Sequence, residues 1–433
     1  MIRLLRRIAL LAALAACLGW YAQPSRAQGS RRRAIPPVIS VDHGPNAARQ
    51  LDKHYVVLVS LDGFRWDYPT KYGATHLLAI GARGASAPQG MIPAYPSLTF
   101  PNHYTIVTGL YPEHHGIVAN TFYDPARGEV FSYRDPETVR DGSWYGGVPL
   151  WSLAESQGMR TACFFWPGSE AKIAGERPSH YLPYDARYPD RKRIDQVIAW
   201  LKLPPAERPH FITLYYSLVD HEGHRHGPDS EQVREAVLHQ DALMGELEAR
   251  LDALHLPIDL VILADHGMAR VEGDGITLDK FASLSGFKTV GSLLYPRSEA
   301  DAQRAYQQLK AADAGFRVFR RARVPPELHY NTNPREGDPV IVAQGPFLIR
   351  AHEEPDESQS TLVGNHGYNP FEMKSMRAIF FAEGPDIRPG TRLKPFEDVN
   401  VFPFLVKILG LTSPKVDGDA NVLSIALRGE AAR

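Results

Sequence analysis

Three apolar runs in this sequence each stop at an aspartate, and that repetition constrains the fold more than any other feature. Residues 55–61 (YVVLVSL) end at Asp62, residues 211–219 (FITLYYSLV) at Asp220 and residues 258–264 (IDLVILA) at Asp265. Runs of this length without polar alternation are strands covered on both faces, as in a parallel sheet between helical layers. Helical patterns lie between them. The clearest covers 229–254, where Asp229 and Gln232 stand at capping-box spacing and Val233, Val237, Leu243, Leu247, Leu251 and Leu254 form one stripe. Residues 286–350 change character, with a helix expected near 300–312 and strands at 316–319 and 340–343, a small βαβ-like insertion on the main sheet. The expected class is α/β, a mostly parallel central sheet sandwiched by helices with a small inserted subdomain.

The ends of such strands are where open α/β sheets bind ligands, so the three carboxylates are expected to converge on one crevice. Histidines accompany them: His266 follows Asp265, His224 lies four residues after Asp220, and His366 stands in a glycine-bracketed loop, Gly364-Asn365-His366-Gly367. The chain has two cysteines, Cys17 and Cys163, which excludes a disulfide framework and a thiolate zinc site. A metal would therefore be held by His and Asp. Three of each make a ligand set for two borderline divalent ions, zinc above all, and two such ions form a clamp for phosphoryl transfer. Taken singly, each aspartate is also an ordinary turn or cap residue, and both readings stand on spacing alone. Upstream, Pro96-Ser97-Leu98-Thr99-Phe100-Pro101 runs into a predicted helix. Thr99 is either its N-cap or a metal-activated nucleophile at a helix N-terminus.

The first residues read as targeting rather than structure. Arg3, Arg6 and Arg7 precede an apolar stretch at 8–20, and Ser25-Arg26-Ala27 offers a cleavage site, so 1–27 is expected to be a signal peptide. Leu14-Ala15-Ala16-Cys17 also matches a lipobox, which would tether the protein through a lipid on Cys17. An uncleaved anchor is a third reading, although the apolar run falls short of ~20 residues. All three imply export, to the periplasm or beyond. Residues 28–50 read as a flexible leader and 51–428 as the catalytic domain. The net charge of −1 gives no footprint for a nucleic-acid polymer, and no motif implies a protein partner.

Six ordered motifs make the picture specific: Asp62-Gly63-Phe64-Arg65, Thr99-Phe100-Pro101-Asn102-His103-Tyr104, Thr108-Gly109-Leu110-Tyr111-Pro112-Glu113, His115-Gly116-Ile117-Val118-Ala119-Asn120, Phe165-Trp166-Pro167-Gly168-Ser169-Glu170 and Asp265-His266-Gly267-Met268. In this order they resemble the nucleotide pyrophosphatase/phosphodiesterase family of the alkaline phosphatase superfamily, over about residues 54–425. The resemblance implies an alkaline phosphatase-like fold and two zinc ions, one on Asp220, His224 and His366, the other on Asp62, Asp265 and His266 with Thr99. It implies that Thr99 forms a covalent nucleotidyl-threonine later hydrolysed to a 5′-monophosphate. Asn120 and the Phe100 N–H would hold a non-bridging oxygen, and Phe100 and Tyr184 would flank the base. His103, His114, His115, His221 and His226 are expected only to make helix or loop hydrogen bonds. The compact match and the lack of any Asn-x-Ser/Thr sequon point to a bacterial, single-domain member.

Substrate class turns on charge. Phosphomonoesterases of this superfamily add cationic side chains to hold a dianion; in one threonine-nucleophile group a Lys-x-Arg pair falls where this chain has residues 166–170, which carry no base. A diester is therefore expected, with nucleotides preferred because Phe100 offers a stacking face. A choline-phosphoester phosphodiesterase and a threonine-dependent monoesterase are the alternatives.

Overall fold

The computed structural model describes residues 35–353 and 362–429. The expected signal segment, the Cys17 lipobox and the cleavage site lie outside these residues. The described residues from Pro37 onward form one compact unit.

All seven side chains of the Tyr55–Leu61 strand are buried, as a two-sided apolar run requires. This strand is the centre of a nine-stranded sheet. The order runs from Ile39–Ser40 through His180–Leu182, Thr161–Phe164, Phe211–Tyr216, Tyr55–Leu61, Ile258–Leu263, Phe380–Glu383 and Ala85–Ser86 to Thr391–Arg392. The five strands from His180–Leu182 to Ile258–Leu263 are mutually parallel, while Phe380–Glu383 runs antiparallel to both its neighbours. The sheet is thus mixed, with its parallel block where the apolar runs placed it. Register brings Ser60 opposite both Tyr215 and Leu263, so Asp62, the Ser217 turn and Asp265 emerge at one edge.

Several boundaries differ from expectation for identifiable reasons. The second run is a strand only to Tyr216; Leu218–His226 is already helix, so Asp220 lies in a first helical turn rather than at a strand tip. Glu231–Asp252 is the long helix, capped by Ser230, whose hydroxyl accepts from Val233 N–H. Asp229 is instead drawn out to Arg65 and Lys71, and an ion pair with two cations displaces the capping role. Residues 39–50, expected to be a loose leader, are held in place. Ile39 and Ser40 pair with Tyr181 and His180, and the Asn46 amide bonds the carbonyls of Pro205 and Arg208.

The 286–350 block does not add strands to the main sheet. Phe316–Phe319 and Val340–Ala343 pair antiparallel with each other, as do Phe287–Val290 and Leu293–Pro296, so the block is not a βαβ unit. Its helix, Glu299–Lys310, closes a second apolar cluster with Leu278, Phe287, Leu294 and Phe316.

Candidate metal centre

Asp62 follows the central strand directly and its N–H bonds the Tyr216 carbonyl; Asp220 N–H in turn bonds the Asp62 carbonyl at 3.1 Å. Two of the predicted acids are thereby fixed to each other through the backbone. Gly63 permits the approach. Its φ is +68°, and a Cβ there would stand 2.8 Å from Asp220 Cα. Gly364 does the same for the His366 loop, where a Cβ would lie 2.3 Å from the Gly223 carbonyl oxygen.

All six predicted Asp and His side chains meet. His366 Nε2 lies 3.2 Å from His224 Nε2 and 3.6 Å from Asp220 Oδ1, and His224 Nε2 is 3.4 Å from the same oxygen. His266 Nε2 is 3.0 Å from Asp265 Oδ2, 3.5 Å from Asp62 Oδ1 and 3.3 Å from Thr99 Oγ1. The two groups adjoin, since the His266 and His366 rings stack at 3.5 Å.

The hydrogen-bond partners show what these atoms are free to do. His224, His266 and His366 each donate Nδ1–H to a backbone carbonyl, of Gly364, Gly267 and Ser97 respectively, at 2.8–2.9 Å. That orients each ring and turns every Nε2 to the cluster, where its lone pair can serve a cation. Two such lone pairs 3.2 Å apart, on His224 and His366, repel unless a cation lies between them. Asp62 Oδ1, Asp220 Oδ1 and Asp265 Oδ2 are buried without a hydrogen-bond partner among the described residues. Burial, then the charges of Asp265 and Asp220, pushes Asp62 well above the usual carboxylate range. Asp265, despite its burial, is held well below that range by His266 and His103. Burial and its two histidine neighbours drive His366 down. Orphaned carboxylate oxygens facing oriented imidazole nitrogens are the donor set of borderline divalent cations, so these residues fit a metal. Two triads here each bring ligating atoms within 4.8 Å of one another, Asp220–His266–His366 and Asp62–His103–Asp265, a grouping that differs from the expected sets in the placing of His266, His224 and His103.

His103 is fully buried and lies 3.3 Å from Asp265 Oδ2, close enough to be mistaken for a ligand. Its nitrogens are taken: Nδ1 donates to the Thr99 carbonyl and Nε2 meets Ser60 Oγ, both at 2.8 Å. It ties the first helical turn to the central strand. That is the hydrogen-bonding part expected of His103; Tyr215 is the residue that sequence reasoning missed, its hydroxyl donating to Asp62 Oδ2 at 2.5 Å and leaving Oδ1 to the cluster. The i, i+4 spacing of Thr99 and His103 was a usable signal. Tyr215, inside an apolar run, offered none.

Thr99 is the first residue of the Thr99–Thr108 helix rather than its N-cap; Leu98 holds that position. The hydroxyl therefore makes no capping bond and faces His266. Phe100 N–H donates to Asn120 Oδ1 at 2.9 Å, so the amide of Asn120 is oriented by the helix N-terminus. Phe100 is half-buried against Phe131 and Tyr133, whereas Tyr184 is 49% exposed and leans on Phe165 and Tyr215. At the position where monoesterases carry bases, Glu170 accepts from Tyr184 N–H and pairs with Arg140, and Lys172 is exposed.

Comparisons with known proteins give the family and the fold. Residues 56–369 match the type I phosphodiesterase / nucleotide pyrophosphatase family. An uncharacterised pyrophosphatase/phosphodiesterase of Schizosaccharomyces pombe is 34% identical over 84% of this chain and 78% of its own length. Ectonucleotide pyrophosphatase/phosphodiesterase family member 3 of Rattus norvegicus is 32% identical over 89% of this chain, which spans only 45% of that protein. Among solved structures, murine ectonucleotide pyrophosphatase/phosphodiesterase 5, as an inactive threonine-to-alanine variant with AMP, superposes with a TM-score of 0.81 at 28% identity, covering 87% of this chain and 100% of that one. The similar curated proteins are fungal, mammalian and reptilian, so the expected bacterial origin draws no support from them.

Proposed function

Since the chain belongs to the type I phosphodiesterase / nucleotide pyrophosphatase family, we propose that it hydrolyses nucleotide phosphodiester and pyrophosphate bonds at a two-zinc centre, with Thr99 as nucleophile. The observation that carries the reading is the set of three inward Nε2 atoms facing three carboxylate oxygens without a hydrogen-bond partner among the described residues, with Thr99 Oγ1 3.3 Å from His266 Nε2. Asp220, His224 and His366 would hold one zinc, and Asp62, Asp265, His266 and Thr99 the other. When bound, such ions supply Lewis-acid neutralisation of charge on the attacking and leaving oxygens.

The chain's own residues do the rest. Thr99 Oγ1 attacks phosphorus in line, its proton passing to solvent, and the bond from phosphorus to the leaving-group oxygen breaks to give a nucleotidyl-threonine. Its helix turn is held by His103, so the nucleophile is positioned before substrate arrives. Asn120, held through Oδ1 by the Phe100 N–H, would present its Nδ2–H to a non-bridging oxygen; the Phe100 N–H, expected to hold that oxygen as well, is instead spent on orienting Asn120. Phe100 and Tyr184 provide faces for a base. Water then cleaves the Thr99 ester, releases the 5′-monophosphate and returns the hydroxyl proton. The murine structure supports this, its bound ligand being a nucleoside 5′-monophosphate and its inactivating change a threonine. The lack of a basic pair at 166–170 favours a diester over a dianionic monoester.

Export remains part of the proposal, by a signal peptide or a Cys17 lipid; no helix among the described residues is long and apolar enough to cross a membrane. The 286–350 block is proposed to line the leaving-group side. The test compares a thymidine 5′-monophosphate p-nitrophenyl ester with p-nitrophenyl phosphate and p-nitrophenylphosphorylcholine, in the parent and Thr99→Ala. Expected is nucleotide-diester preference, lost in Thr99→Ala and on chelation and regained with zinc. Preference for the monoester or choline ester would overturn the substrate class. Activity surviving in Thr99→Ala would overturn the covalent step.

A further inference from the structure

A second set of ligating side chains lies at the other end of the sheet. His54 immediately precedes the central strand, Asp259 is the second residue of the Ile258–Leu263 strand, and Asp386 follows the Phe380–Glu383 strand. One ligating atom from each lies within 4.8 Å of the other two. Asp259 and Asp265 are six residues apart, about 20 Å at ~3.3 Å per strand residue, so the cluster is separate from the catalytic centre.

Asp259 is fully buried, and its Oδ2 has no hydrogen-bond partner among the described residues. Its Oδ1 accepts from Asp386 N–H at 3.0 Å, and His54 Nδ1 lies 2.8 Å from Asp386 Oδ2. The backbone makes room for this: a Cβ on Gly384 would stand 2.4 Å from Asp259 Oδ1. A buried carboxylate oxygen left unpaired is costly, and a second carboxylate beside it adds repulsion. Burial and the Asp386 charge push Asp259 up to about 8, with Arg428 offsetting part of that. His54 is 30% exposed, which opens the cluster to solvent on one side.

We propose that His54, Asp259 and Asp386 bind a divalent cation of zinc or manganese character, as a structural site distinct from the catalytic pair. One imidazole and two carboxylates are the donors such ions take, and loading would displace the Asp259 proton to solvent. The cation would join the start of two central strands to the turn after the antiparallel strand. That turn carries the C-terminal segment, through Arg388 N–H to the Ala426 carbonyl and Arg428 N–H to the Asp386 carbonyl, both at 2.8 Å.

The test is metal binding, independent of turnover. Full-length chain carrying Asp62→Asn and Asp220→Asn, which disable the catalytic centre, is stripped with chelator and titrated calorimetrically with zinc and with manganese. Expected is one equivalent bound with a rise in Tm, both abolished by adding Asp259→Asn or His54→Ala. In the otherwise unaltered chain, Asp259→Asn should hold one metal equivalent fewer by elemental analysis, at parental diesterase activity. Binding that survives Asp259→Asn, or equal metal content in Asp259→Asn and parent, would overturn the site. Asp259 and Asp386 would then be a carboxyl pair sharing a proton.

Discussion

Replacing Tyr215 with phenylalanine isolates one atom of the centre's support. The ring is buried, edge-on to His103 at 5.3 Å and Tyr184 at 6.0 Å, and phenylalanine keeps both contacts. What disappears is the 2.5 Å hydrogen bond to Asp62 Oδ2. Asp62 is 2% exposed, so water does not replace the lost donor. A hydrogen bond to a charged group is worth about 1.5–3 kcal/mol, and the Tyr215 bond favours the ionised form of Asp62. Without it Asp62 is pushed still higher, and protons compete better with metal for Oδ1. The expectation is ~10–150-fold weaker metal binding, in line with other losses of ligand-orienting partners. Competitive chelator titration from pH 6 to 8 measures it; the deficit should be largest at the acid end. Excess zinc at pH 8 should restore most of the activity, since no atom touching substrate has changed. Unchanged metal affinity would refute the reasoning, and so would an activity loss that zinc does not rescue, because either result removes the hydroxyl's role in orienting Asp62.

Asn120→Ala should lower kcat/KM by about 10²–10³-fold with metal content retained, as for other donors aimed at developing charge; a loss of metal would place Asn120 elsewhere. Gly63→Ala puts a Cβ against the Asp220 backbone at positive φ and should cost ~1–3 kcal/mol in denaturant unfolding with loss of metal; parental stability would contradict the close approach. Glu336 is fully buried, neither oxygen has a hydrogen-bond partner among the described residues, and burial followed by the Glu113 charge pushes it up to about 8. The folded state thus holds a proton that the unfolded chain releases near 4.5. That stability is fully present below ~4.5 and is lost as pH rises through about 8, by up to ~1.4 kcal/mol per unit. Glu336→Gln should flatten the fall in unfolding free energy between pH 5 and 8; an unchanged slope would show that Glu336 is ionised in the fold.

What the sequence made legible was what local pattern and strand ends determine. The apolar runs located the parallel block, and the acids closing them meet because parallel strands in register present their carboxyl ends together. Asp220 reached the same place by another route, from a helical turn whose N–H is tied to the Asp62 carbonyl, so the prediction of convergence held although its local reason did not. Long-range pairing was beyond that pattern. Nothing near residue 380 signals that Phe380–Glu383 runs antiparallel beside Ile258–Leu263. Residues 39–50 look like a leader because their order depends on partners more than a hundred positions away. The supporting atoms of the centre show the limit most clearly. His224, His266 and His366 could be named from spacing, but what turns each Nε2 toward the cluster is a carbonyl behind the ring, and a carbonyl has no sequence identity. His103 carries the same side chain, in a motif as specific and nearly as close to Asp265, and its two nitrogens are already occupied by Thr99 and Ser60. All four rings have a carbonyl on Nδ1, so the difference between candidate ligand and strut is set by whether Nε2 finds a partner such as Ser60, which only the folded chain supplies.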